Sequence, residues 1–575
     1  MDTQMFEDPE LSLLRHNKDE GYNYRERRQD DWRTNYTLYR DRVIYNRLTQ
    51  RQSVNVPLMK TVIKTNLKDV DDMAAMHFTS LDNDSQAEVF QNEYWRITME
   101  ENNMQIKDIV DKKQVMFFGR TFKQIQIVDG KIKITIVDPQ DILVSRYLDP
   151  TNIHSSRYLI HTHIFVPISS LENNPDYDQE AVAELKEFYG TEAGLLKSAE
   201  NEQSLIEKNQ RMADLGLVDT DSPLLGETYV ELSLHFVFRR EKGEDEDQIY
   251  LYVEADGMKR LMKKPLEEVM GVTKSHYWRT HFPYNTWADD VEMQDFWSDA
   301  LADIVRQPNV ILNSYFSQLV ENRTLRNYGM QYYDATAEGF VPQTYEPEPF
   351  GWYGLPGKPA DIVQAIQIPD LSESIDEMAY ITTMVEKATG ATSTQQGVES
   401  QKQITLGEVK YALTEAKERV KGMSKYFIPA WEELGQMFLM VIEGGHDKLD
   451  MVKIYKKGRN SDDMYSREVM PKDWMTEAGY TVRVWSQDEK SAEETAELEK
   501  INPVKAAMSD NPVVDETFKR KLLEFANFTP DEINQALEYE KKKKEALMAS
   551  MNGGMMGLPP GTGAQVPQPT QGAMA

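Results

Sequence analysis

Two acidic stretches of the sequence have residue types that bind divalent metal ions. From Asp82 to Glu93, DNDSQAEVFQNE places two aspartates and a final glutamate at the spacing of a calcium-binding loop. Ala87, however, stands where such a loop needs a glycine for its sharp turn. The N-terminal region of a helix is therefore the better interpretation of this stretch.

The second stretch contains Pro175-Asp176 followed by Glu184-x-Lys186, the loose pattern of restriction-type, metal-dependent nucleases. Those nucleases hold the Glu and Lys on a strand beside the Asp, so that two carboxylates bind Mg²⁺ and the lysine orients water. The surrounding AVAELKEFYG is helix-like, and so short a pattern often arises by accident. A magnesium-dependent nuclease is therefore kept only as an alternative function.

The sequence contains no other pattern typical of catalysis or nucleotide binding. The nine histidines form no H-E-x-x-H, and His161 and His163 share a predicted strand face without an evident carboxylate, so satisfied or exposed histidines are favoured over a metal site. The Gly-Lys pairs at Gly130 and Gly357 lack the upstream glycine of a P-loop. Neither G-x-S-x-G nor G-x-G-x-x-G occurs. We expect a protein that is not an enzyme and has no cofactor or metal site.

The composition indicates a large and acidic protein. At 575 residues the chain is too long for one compact core, so we expect several domains or one elongated, modular subunit. Its 65 basic and 95 acidic side chains give a net charge of −30, which opposes tight binding of nucleic acid. The absence of cysteine excludes disulfides, thiolate metal sites and cysteine nucleophiles, and fits folding in a reducing cytoplasm.

The sequence gives no sign of membrane association. The N-terminal MDTQMFEDPE is acidic and does not resemble a signal peptide. The longest purely apolar run, near Phe438–Ile442, is far shorter than the roughly 20 residues that a membrane span needs. We therefore expect a soluble protein.

The first half of the chain is predicted to be a mixed α+β body that begins with helices. Residues 1–52, rich in Arg and Tyr, and residues 62–116 have helical spacing. The core residues expected in the second of these segments are Tyr94, Trp95, Ile97, Met99 and Ile106.

The most distinct strand signal is FKQIQIVDGKIKITIV, residues 122–137. Apolar and polar residues alternate around Asp129-Gly130, which favours a two-residue type I′ turn. This turn would pair two isoleucines from each strand: Ile125 with Ile134, and Ile127 with Ile132.

More strands are predicted after this hairpin. VDPQDILVSRYLDP, residues 137–150, indicates a strand held between two turns. Acidic helices and loops are expected over 173–226. The alternating YVELSLHFVF (229–238) and QIYLYV (248–253) then predict two strands joined by an exposed turn.

Helical periodicity dominates the second half. Residues 291–326 are predicted to be helical with a kink or restart at Pro308, and residues 371–387 are also predicted to be helical. The helix predicted over 406–443 would span about 57 Å at 1.5 Å per residue, with a bend at Pro429. The first of these helices is predicted from seven recurring apolar residues: Phe296, Leu301, Ile304, Val305, Leu312, Phe316 and Leu319.

Two non-helical stretches separate these helices. Residues 328–369, with EPEPFGWYGLPGKP, indicate a compact aromatic module made mostly of loops. ATGATSTQQGVESQKQIT, residues 388–405, interrupts the helices because Gly390 and Gly397 tolerate non-helical backbone angles and because Ser and Thr hydroxyls compete for backbone hydrogen bonds.

The C-terminal part is expected to change character twice. A short β segment ends in TVRVW (481–485), and charged helices follow over 488–550, one of them with Thr529 as its N-cap. The last stretch, from Asn552, is rich in Gly, Pro, Gln and Met and is expected to be disordered.

The order of these elements resembles that of the portal (head-to-tail connector) proteins of tailed double-stranded DNA bacteriophages, over about Tyr24 to Trp485. The sequence looks most like the large portals of short-tailed phages, through its Arg/Tyr-rich N-terminal helices, VDPQDILVSRYLDP, QPNVILNSYFSQLVENR and ITLGEVKYALTEA. Portals of this kind form a ring, usually of twelve copies, at one capsid vertex, and DNA passes through its central channel. The resemblance implies a mainly helical α+β fold.

The resemblance also implies a domain organisation. The boundaries are 1–30 for an N-terminal arm, 31–290 for the wing, 291–326 for the first stem helix, 327–369 for the clip, 370–390 for the second stem helix, 391–404 for the tunnel loop, 405–445 for a long kinked wing helix, 446–487 for the β return of the wing, 488–551 for the crown helices and 552–575 for a disordered tail.

Candidate site residues follow from the same resemblance. The tunnel loop would make weak DNA contacts through Gln395, Gln396, Gln401, Lys402 and Gln403. Cations of the stem would guide DNA in an otherwise acidic channel, at Arg323, Arg326 and Lys387. The clip would present an interface, or pack against its neighbour, through Tyr332, Tyr333, Phe350, Trp352 and Tyr353.

The implied partners are further copies of the chain, double-stranded DNA bound without sequence specificity, the terminase large subunit, the major capsid and scaffold proteins, and later the head-to-tail adaptors. The implied location is the portal vertex of the virion, and the host cytoplasm during assembly. The ATP-driven work would come from the terminase. Another ring-forming head-completion or tail adaptor protein is the second alternative, although those proteins are usually much smaller.

Overall fold

The computed structural model describes most of the chain up to residue 485 and two short parts beyond it. The described residues are 9–40, 54–69, 75–82, 84–215, 227–241, 243, 246–327, 331–333, 358, 363–365, 371, 373–390, 406–457, 464–485, 519 and 536–543. The chain divides into two compact units at Gln487/Asp488. In the second unit, residues 536–543 are helical, within the region predicted to contain charged helices. Thr529 and the tail from Asn552 lie outside the described residues.

The first unit is mixed α+β, as predicted. The helices are α1 (Pro9–Tyr39), α2 (Leu58–Asp69), α3 (Ser85–Glu101), α4 (Met104–Phe118), α5 (Ile168–Glu172), α6 (Gln179–Tyr189), α7 (Glu192–Leu215), α8 (Leu266–Met270), α9 (Leu301–Asn327), α10 (Glu373–Thr389) and α11 (Leu406–Gly445). The strands are β1 (Ala75–Ser80), β2 (Arg120–Val128), β3 (Lys131–Val137), β4 (Ile142–Val144), β5 (Tyr158–Pro167), β6 (Tyr229–Arg239), β7 (Gln248–Ala255), β8 (Lys259–Pro265), β9 (Tyr284–Ala288), β10 (Gln331–Tyr333), β11 (Val363–Ala365), β12 (Val452–Lys457), β13 (Met464–Val469) and β14 (Tyr480–Trp485).

Two antiparallel sheets form the centre of this unit. One has the strand order β3-β2-β9 and the other the order β4-β5-β6-β7-β8. Three strand pairs accompany them, β1 with β14, β10 with β11 and β12 with β13. The β1–β14 pair joins residues about 400 positions apart, from Ala75↔Trp485 to Ser80↔Tyr480. The C-terminal β return is therefore built into the same body as the N-terminal helices.

The β2–β3 hairpin confirms the predicted register. Asp129 and Gly130 both have positive φ (+49° and +73°), as a type I′ turn requires. The isoleucines pair as predicted: Ile125 with Ile134, and Ile127 with Ile132. The backbone N–H of Asp450 also donates to the Gly130 carbonyl (2.9 Å), so this turn is covered by the segment that follows α11.

The aromatic core confirms part of the predicted set and corrects one member. Tyr94, Trp95 and Met99 are buried on α3, where Trp95 packs edge-on against Phe438 of α11 (4.8 Å between ring centroids). Ile106, in contrast, is 61% exposed on α4. The helical prediction over 62–116 also missed β1, because a short strand beside α3 gives little periodic signal of its own.

The first helix of the second half begins later than predicted. α9 starts at Leu301, and the ten residues before it form a loop. The loop is anchored through its backbone: the Phe296 carbonyl accepts from Arg120 Nε (2.8 Å) and the Trp297 carbonyl from Arg28 Nη2 (2.8 Å). Phe296, which was counted as a helix position in the sequence, is therefore a buried side chain of a loop. Ile304, one of the seven apolar residues from which this helix was predicted, is 50% exposed, whereas Val305 and Leu312 are buried.

The long helix is confirmed as α11, with Pro429 inside it. From Phe427 to Ile442 most of its apolar residues are buried in the core of the body. Its C-terminal end is fixed by a close backbone contact between Gly444 and Gly271, which has φ +102°. A Cβ at Gly271 would lie 1.8 Å from the Gly444 carbonyl oxygen, so only glycine fits there.

Candidate functional site

The calcium-like stretch is the start of a helix, as interpreted from the sequence. The Asp84 side chain caps α3 by accepting hydrogen bonds from the backbone N–H of Gln86 (3.0 Å) and Ala87 (3.1 Å). Asp82 instead accepts from the backbone N–H of Ala478 (2.9 Å). Both carboxylates are therefore engaged in hydrogen bonds with backbone N–H groups. Across the described residues, no group of three or more His, Asp or Glu side chains is arranged to bind a metal ion.

Of the nuclease-like residues, Glu184 and Lys186 lie on helix α6, in agreement with the helical interpretation of AVAELKEFYG, and Asp176 lies in the turn before that helix. Each forms an ion pair with a different partner: Asp176 with Lys264 (2.7 Å), Glu184 with Lys259, and Lys186 with Glu172 (2.5 Å). A nuclease of this type needs the Glu and Lys on a strand beside the Asp. The described arrangement does not provide that geometry.

The two histidines have separate partners, which corrects the prediction of a shared strand face. A β-bulge lies between His161 and Ile164, and His163 has φ +57°. His161 Nδ1 lies 3.0 Å from the Tyr284 hydroxyl, and burial lowers the pKa of His161 to about 3. His163 Nδ1 lies 3.0 Å from Asp141 Oδ1. Both histidines are satisfied, as expected, and Asp141 is a carboxylate that the spacing did not reveal.

The helical hairpin of α9 and α10 exposes several large apolar side chains. α9 leads into β10, and β11, which pairs with β10 in antiparallel register, leads back towards α10. At the other end, α2 contacts both helices: Met59 N–H donates to Asn309 Oδ1 (2.9 Å), and Asn66 Nδ2 donates to the Thr389 carbonyl (3.3 Å). The helices are therefore antiparallel, and the end of α10 lies beside the first half of α9.

A ladder of polar side chains attaches α9 to the body. Asn309, Asn313 and Ser317 follow one another at intervals of four residues, on one face of the helix. Their side-chain oxygens accept hydrogen bonds from backbone N–H groups of the first turn of α2 and of the segment before it: Met59 to Asn309 (2.9 Å), Val56 to Asn313 (2.7 Å) and Val54 to Ser317 (3.0 Å). Sequence reasoning missed this attachment, although Asn-x3-Asn-x3-Ser was a visible signal for it.

The outer face of α9 carries no charge over most of its length. The exposed residues between positions 304 and 320 are Ile304, Gln307, Val310, Ile311, Ser314, Gln318 and Val320. Five of them lie on the side of the helix away from Asn309 and Asn313, and we call these five the α9 stripe: Ile304, Gln307, Ile311, Ser314 and Gln318. The charged residue of the same span, Arg306, is half-buried and pairs with Asp31 (2.8 Å) and Asp303 (3.0 Å). The 16 helical steps from residue 304 to residue 320 correspond to about 24 Å.

α10 also exposes large apolar side chains. Ile375 is 45%, Tyr380 68% and Met384 54% exposed. Its inner face is anchored by Val385, which is buried in the main core. Three large apolar side chains exposed on one helix of 17 residues are typical of a surface that contacts another molecule.

The predicted stem cations do not form one group. Arg323 and Arg326 are exposed near the end of α9 that leads to β10. Lys387 is exposed in the last turn of α10, close to Thr389 and hence at the opposite end of the hairpin. The spacing between them corresponds to about 25 Å of helix.

Most of the other predicted site residues fall outside the described part of the chain. Tyr332 and Tyr333 lie on β10, opposite Gln364 and Val363. The remaining clip residues and the tunnel-loop set lie outside the described residues: Phe350, Trp352, Tyr353, Gln395, Gln396, Gln401, Lys402 and Gln403. Gly390, which ends α10, has φ +76° as expected, and Gly397 also lies outside.

Comparison with known proteins gives the family. The model of the phage SU10 portal protein family matches residues 35–526, well over half of the chain and across the whole α9–α10 hairpin. The chain belongs to this portal protein family. No curated protein matches it at a significant level. The resemblance to the portals of short-tailed phages is thereby confirmed.

As a portal protein, the chain acts in DNA packaging and head-to-tail connection of a tailed bacteriophage. Portal proteins are ring-forming components of a capsid vertex that interact with DNA, capsid and terminase, and the family is in general structural rather than enzymatic. Within the described part of the chain, no helix is long and apolar enough to cross a membrane.

Proposed function

We propose that the α9–α10 hairpin is the stem of the portal and that the α9 stripe faces the DNA channel. The observation that supports this assignment is the lack of charge along about 24 Å of exposed helix in a chain whose net charge is −30. Such a surface is unusual for a solvent-exposed helix, which normally presents charged side chains.

A neutral stripe suits a moving duplex. Lysines or arginines would bind phosphates with salt-dependent affinity and hold the DNA in place, whereas a row of carboxylates would repel it. Amide, hydroxyl and aliphatic groups do neither. The acidic channel expected from the net charge is therefore replaced, along α9, by a channel wall without formal charge.

The exposed residues of α10, Ile375, Tyr380 and Met384, pack against the neighbouring copy in this proposal. A ring is closed by heterologous contacts, in which two different faces of each subunit meet. Removing three large apolar side chains from water supplies the favourable free energy for that contact. The ring contains twelve copies, as is usual for the family.

The other parts keep the roles that the resemblance implied. The clip lies around β10 and β11 and docks the terminase large subunit and then the head-to-tail adaptors through its aromatic residues. Residues 391–404 form the tunnel loop and touch DNA weakly through their glutamines and Lys402. Arg323 and Arg326 guide the DNA at the clip end, and Lys387 guides it at the tunnel-loop end.

The wing comprises residues 31–290 and 405–487, and the crown residues 488–551. β1 lies in the first of these two wing ranges and β14 in the second, and their continuous pairing supports the assignment of both ranges to one wing. The capsid and scaffold proteins contact the portal during assembly in the host cytoplasm, and the chain has no catalytic activity of its own.

The test is to place charge on the stripe. The triple variant Gln307→Lys/Ser314→Lys/Gln318→Lys should form rings by electron microscopy but package DNA several-fold more slowly, because the lysines bind passing phosphates. The matched variant with glutamate at the same three positions should package at nearly the normal rate. If both triple variants package like the parent, or if either fails to form rings, the stripe does not face the channel.

A further inference from the structure

A polar pocket opens to solvent between α1, β5 and α7. Its volume is about 190 Å³. The side chains that could hold a ligand there are Arg25 and Gln29 on α1, His163 on β5, and Ser204, Lys208 and Arg211 on α7. We call this cavity the Arg25 pocket. Three of these side chains are basic, so the balance of charge around them decides what the pocket can bind.

The two cations from α7 are matched by two buried carboxylates. Asp141 Oδ2 lies 2.8 Å from Lys208 Nζ, and Asp141 Oδ1 lies 3.0 Å from His163 Nδ1. Asp138 Oδ2 accepts a hydrogen bond from Arg211 Nε (3.1 Å). Burial acts to raise the pKa of Asp141, but Lys208 and then His163 hold it below its ordinary value. Lys208 and Arg211 therefore have their counter-charges within the subunit.

Arg25 has no counter-charge of this kind. The residue is 3% exposed, and it forms no ion pair with any residue that the structure describes. Its Nη1 donates to the backbone carbonyls of Gln140 and Ile142. Its Nε and Nη2 donate to none of the described residues. Part of a buried guanidinium group is thus left for a ligand beside an open cavity.

Arg120 shows how a second buried arginine is satisfied. It also lacks an ion pair in the described part of the chain, but its Nε donates to the Phe296 carbonyl (2.8 Å) and its Nη2 to the Pro150 carbonyl (2.9 Å). Arg25 makes main-chain hydrogen bonds through Nη1 alone. Because a buried charge without a counter-charge costs free energy, an anion in the pocket would stabilise Arg25.

The mouth of the pocket supplies uncharged donors. Gln29 lies one turn after Arg25 on α1, and Ser204 faces it from α7; both residues are exposed, and neither side chain hydrogen-bonds to a described residue. The exposed Glu207 is also at the mouth, where its carboxylate accepts from Gln203 Nε2 (2.9 Å). The interior, with three cations and two carboxylates, therefore attracts an anion that is small enough to pass this rim.

We propose that the Arg25 pocket binds a phosphate-type oxyanion, either free phosphate or the phosphate group of a nucleotide. A guanidinium group offers parallel N–H donors to two oxygens of such an ion, and Gln29 and Ser204 add neutral donors. A double helix does not reach Arg25, because that residue is 3% exposed. The bound ion joins α1 to α7. The inference is independent of the proposed stem, since no residue of the α9–α10 hairpin lines the pocket.

The test is thermal unfolding of the purified full chain in phosphate-free buffer and at increasing concentrations of sodium phosphate. Sodium chloride at matched ionic strength is the reference. The melting temperature of the parent should rise with the logarithm of the phosphate concentration, because a ligand that binds only the folded state stabilises it. Titration calorimetry should give one phosphate per chain.

The first variant removes the unpaired cation. Arg25→Met should bind phosphate at least tenfold more weakly and should lose the rise in melting temperature. Without phosphate it should melt no lower than the parent, since it removes a buried charge that has no ion pair. The control Arg33→Met removes an exposed cation of the same helix and should respond to phosphate like the parent.

A second variant changes an exposed position, so that it does not depend on how the chain tolerates a change at a buried residue. Gln29→Glu places a carboxylate one turn from Arg25, where it should repel or replace the ion and lower the affinity for phosphate at least tenfold. Titration of the parent with deoxyadenosine monophosphate distinguishes the two sources. Binding tighter than that of phosphate identifies a nucleotide, and weaker binding identifies the free ion.

Four results would overturn the proposal. The parent may show no response to phosphate beyond that to sodium chloride, or either variant may keep the response of the parent; in both cases the pocket is not a phosphate site. If Arg25→Met melts well below the parent without phosphate, Asp138 and Asp141 already neutralise Arg25. If sodium acetate raises the melting temperature as much as phosphate does, the pocket does not select phosphate.

Discussion

The buried body and the α9–α10 hairpin differ in how far their side chains are buried or paired within the subunit. The body contains a buried ion pair: Lys123 Nζ lies 2.5 Å from Asp111 Oδ2, both side chains are fully buried, and Trp287 Nε1 donates to the same carboxylate oxygen (2.8 Å). On the hairpin, Ile304 and Tyr380 remain half-exposed or more. The body therefore buries or pairs these groups within the subunit, whereas the hairpin, in the function proposed above, is covered by other copies and by DNA.

The strongest test of this contrast removes one partner of the buried ion pair. Lys123→Met should lower the free energy of unfolding by about 3–5 kcal/mol, because it leaves the Asp111 carboxylate buried without its counter-charge. The measurement is urea denaturation of the purified chain. Lys131→Met, which breaks an exposed pair with Glu101 (2.7 Å), should cost less than about 1 kcal/mol. Equal effects of the two substitutions would mean that water reaches the Asp111 carboxylate in the folded chain.

A second test concerns the backbone contact that fixes the end of α11. Gly271→Ala should destabilise the chain by about 3 kcal/mol, since the new Cβ collides with the Gly444 carbonyl and the backbone has φ +102°. Gly243 has a similar φ of +104° and open space around it, so Gly243→Ala should show only the conformational cost, about 1 kcal/mol. Thermal unfolding of the two variants measures the difference, and identical melting temperatures would contradict the collision.

On the hairpin, apolar substitutions should affect assembly and leave folding unchanged. Tyr380→Ser/Met384→Ser should alter the free energy of unfolding of the subunit by less than about 1 kcal/mol, because both side chains are exposed in the isolated chain. Ring formation, followed by mass determination in solution, should require a protein concentration at least tenfold higher. Normal assembly of this variant would show that α10 does not pack on its neighbour, and a loss of folding would show that the hairpin belongs to the core.

The last test concerns a pH dependence within the body. Burial, and then the neighbouring Asp290, raise the pKa of Asp289 from 3.8 to about 6. The folded state therefore binds more protons than the unfolded state between about pH 4 and 6, and this group makes the chain less stable as the pH rises through that range. Asp289→Asn should be more stable than the parent at pH 7, and the difference should shrink to nothing below pH 4. Denaturation curves at both pH values measure it, and a difference independent of pH would contradict the assignment.

Local patterns carried the sequence predictions that the structure confirms. The alternation around Asp129-Gly130 fixed both the turn and the pairing of β2 with β3, because a two-residue turn and a side-chain period of two leave one register. The length of α11 followed from unbroken apolar spacing. The family followed from the order of the elements and from a few segments such as VDPQDILVSRYLDP, and the family match confirms it.

The failures share a physical cause. Phe296 has the apolar character of a helix position, but Arg120 and Arg28 hold its loop open by binding main-chain carbonyls. Ile304 has helical spacing but points away from the body. Periodicity reports which residues are apolar, and it cannot tell a residue that packs inside its own subunit from one kept for a partner.

The sequence by itself determined the α+β class, the β2–β3 hairpin, the long helix and the portal family, because these depend on the properties and order of neighbouring residues. Tertiary structure alone decided which carboxylate meets His163 and which face of α9 is left without charge. These arrangements depend on residues that are far apart in the chain. The protonation and pairing of the side chains depend on distance and burial, which only the folded structure sets.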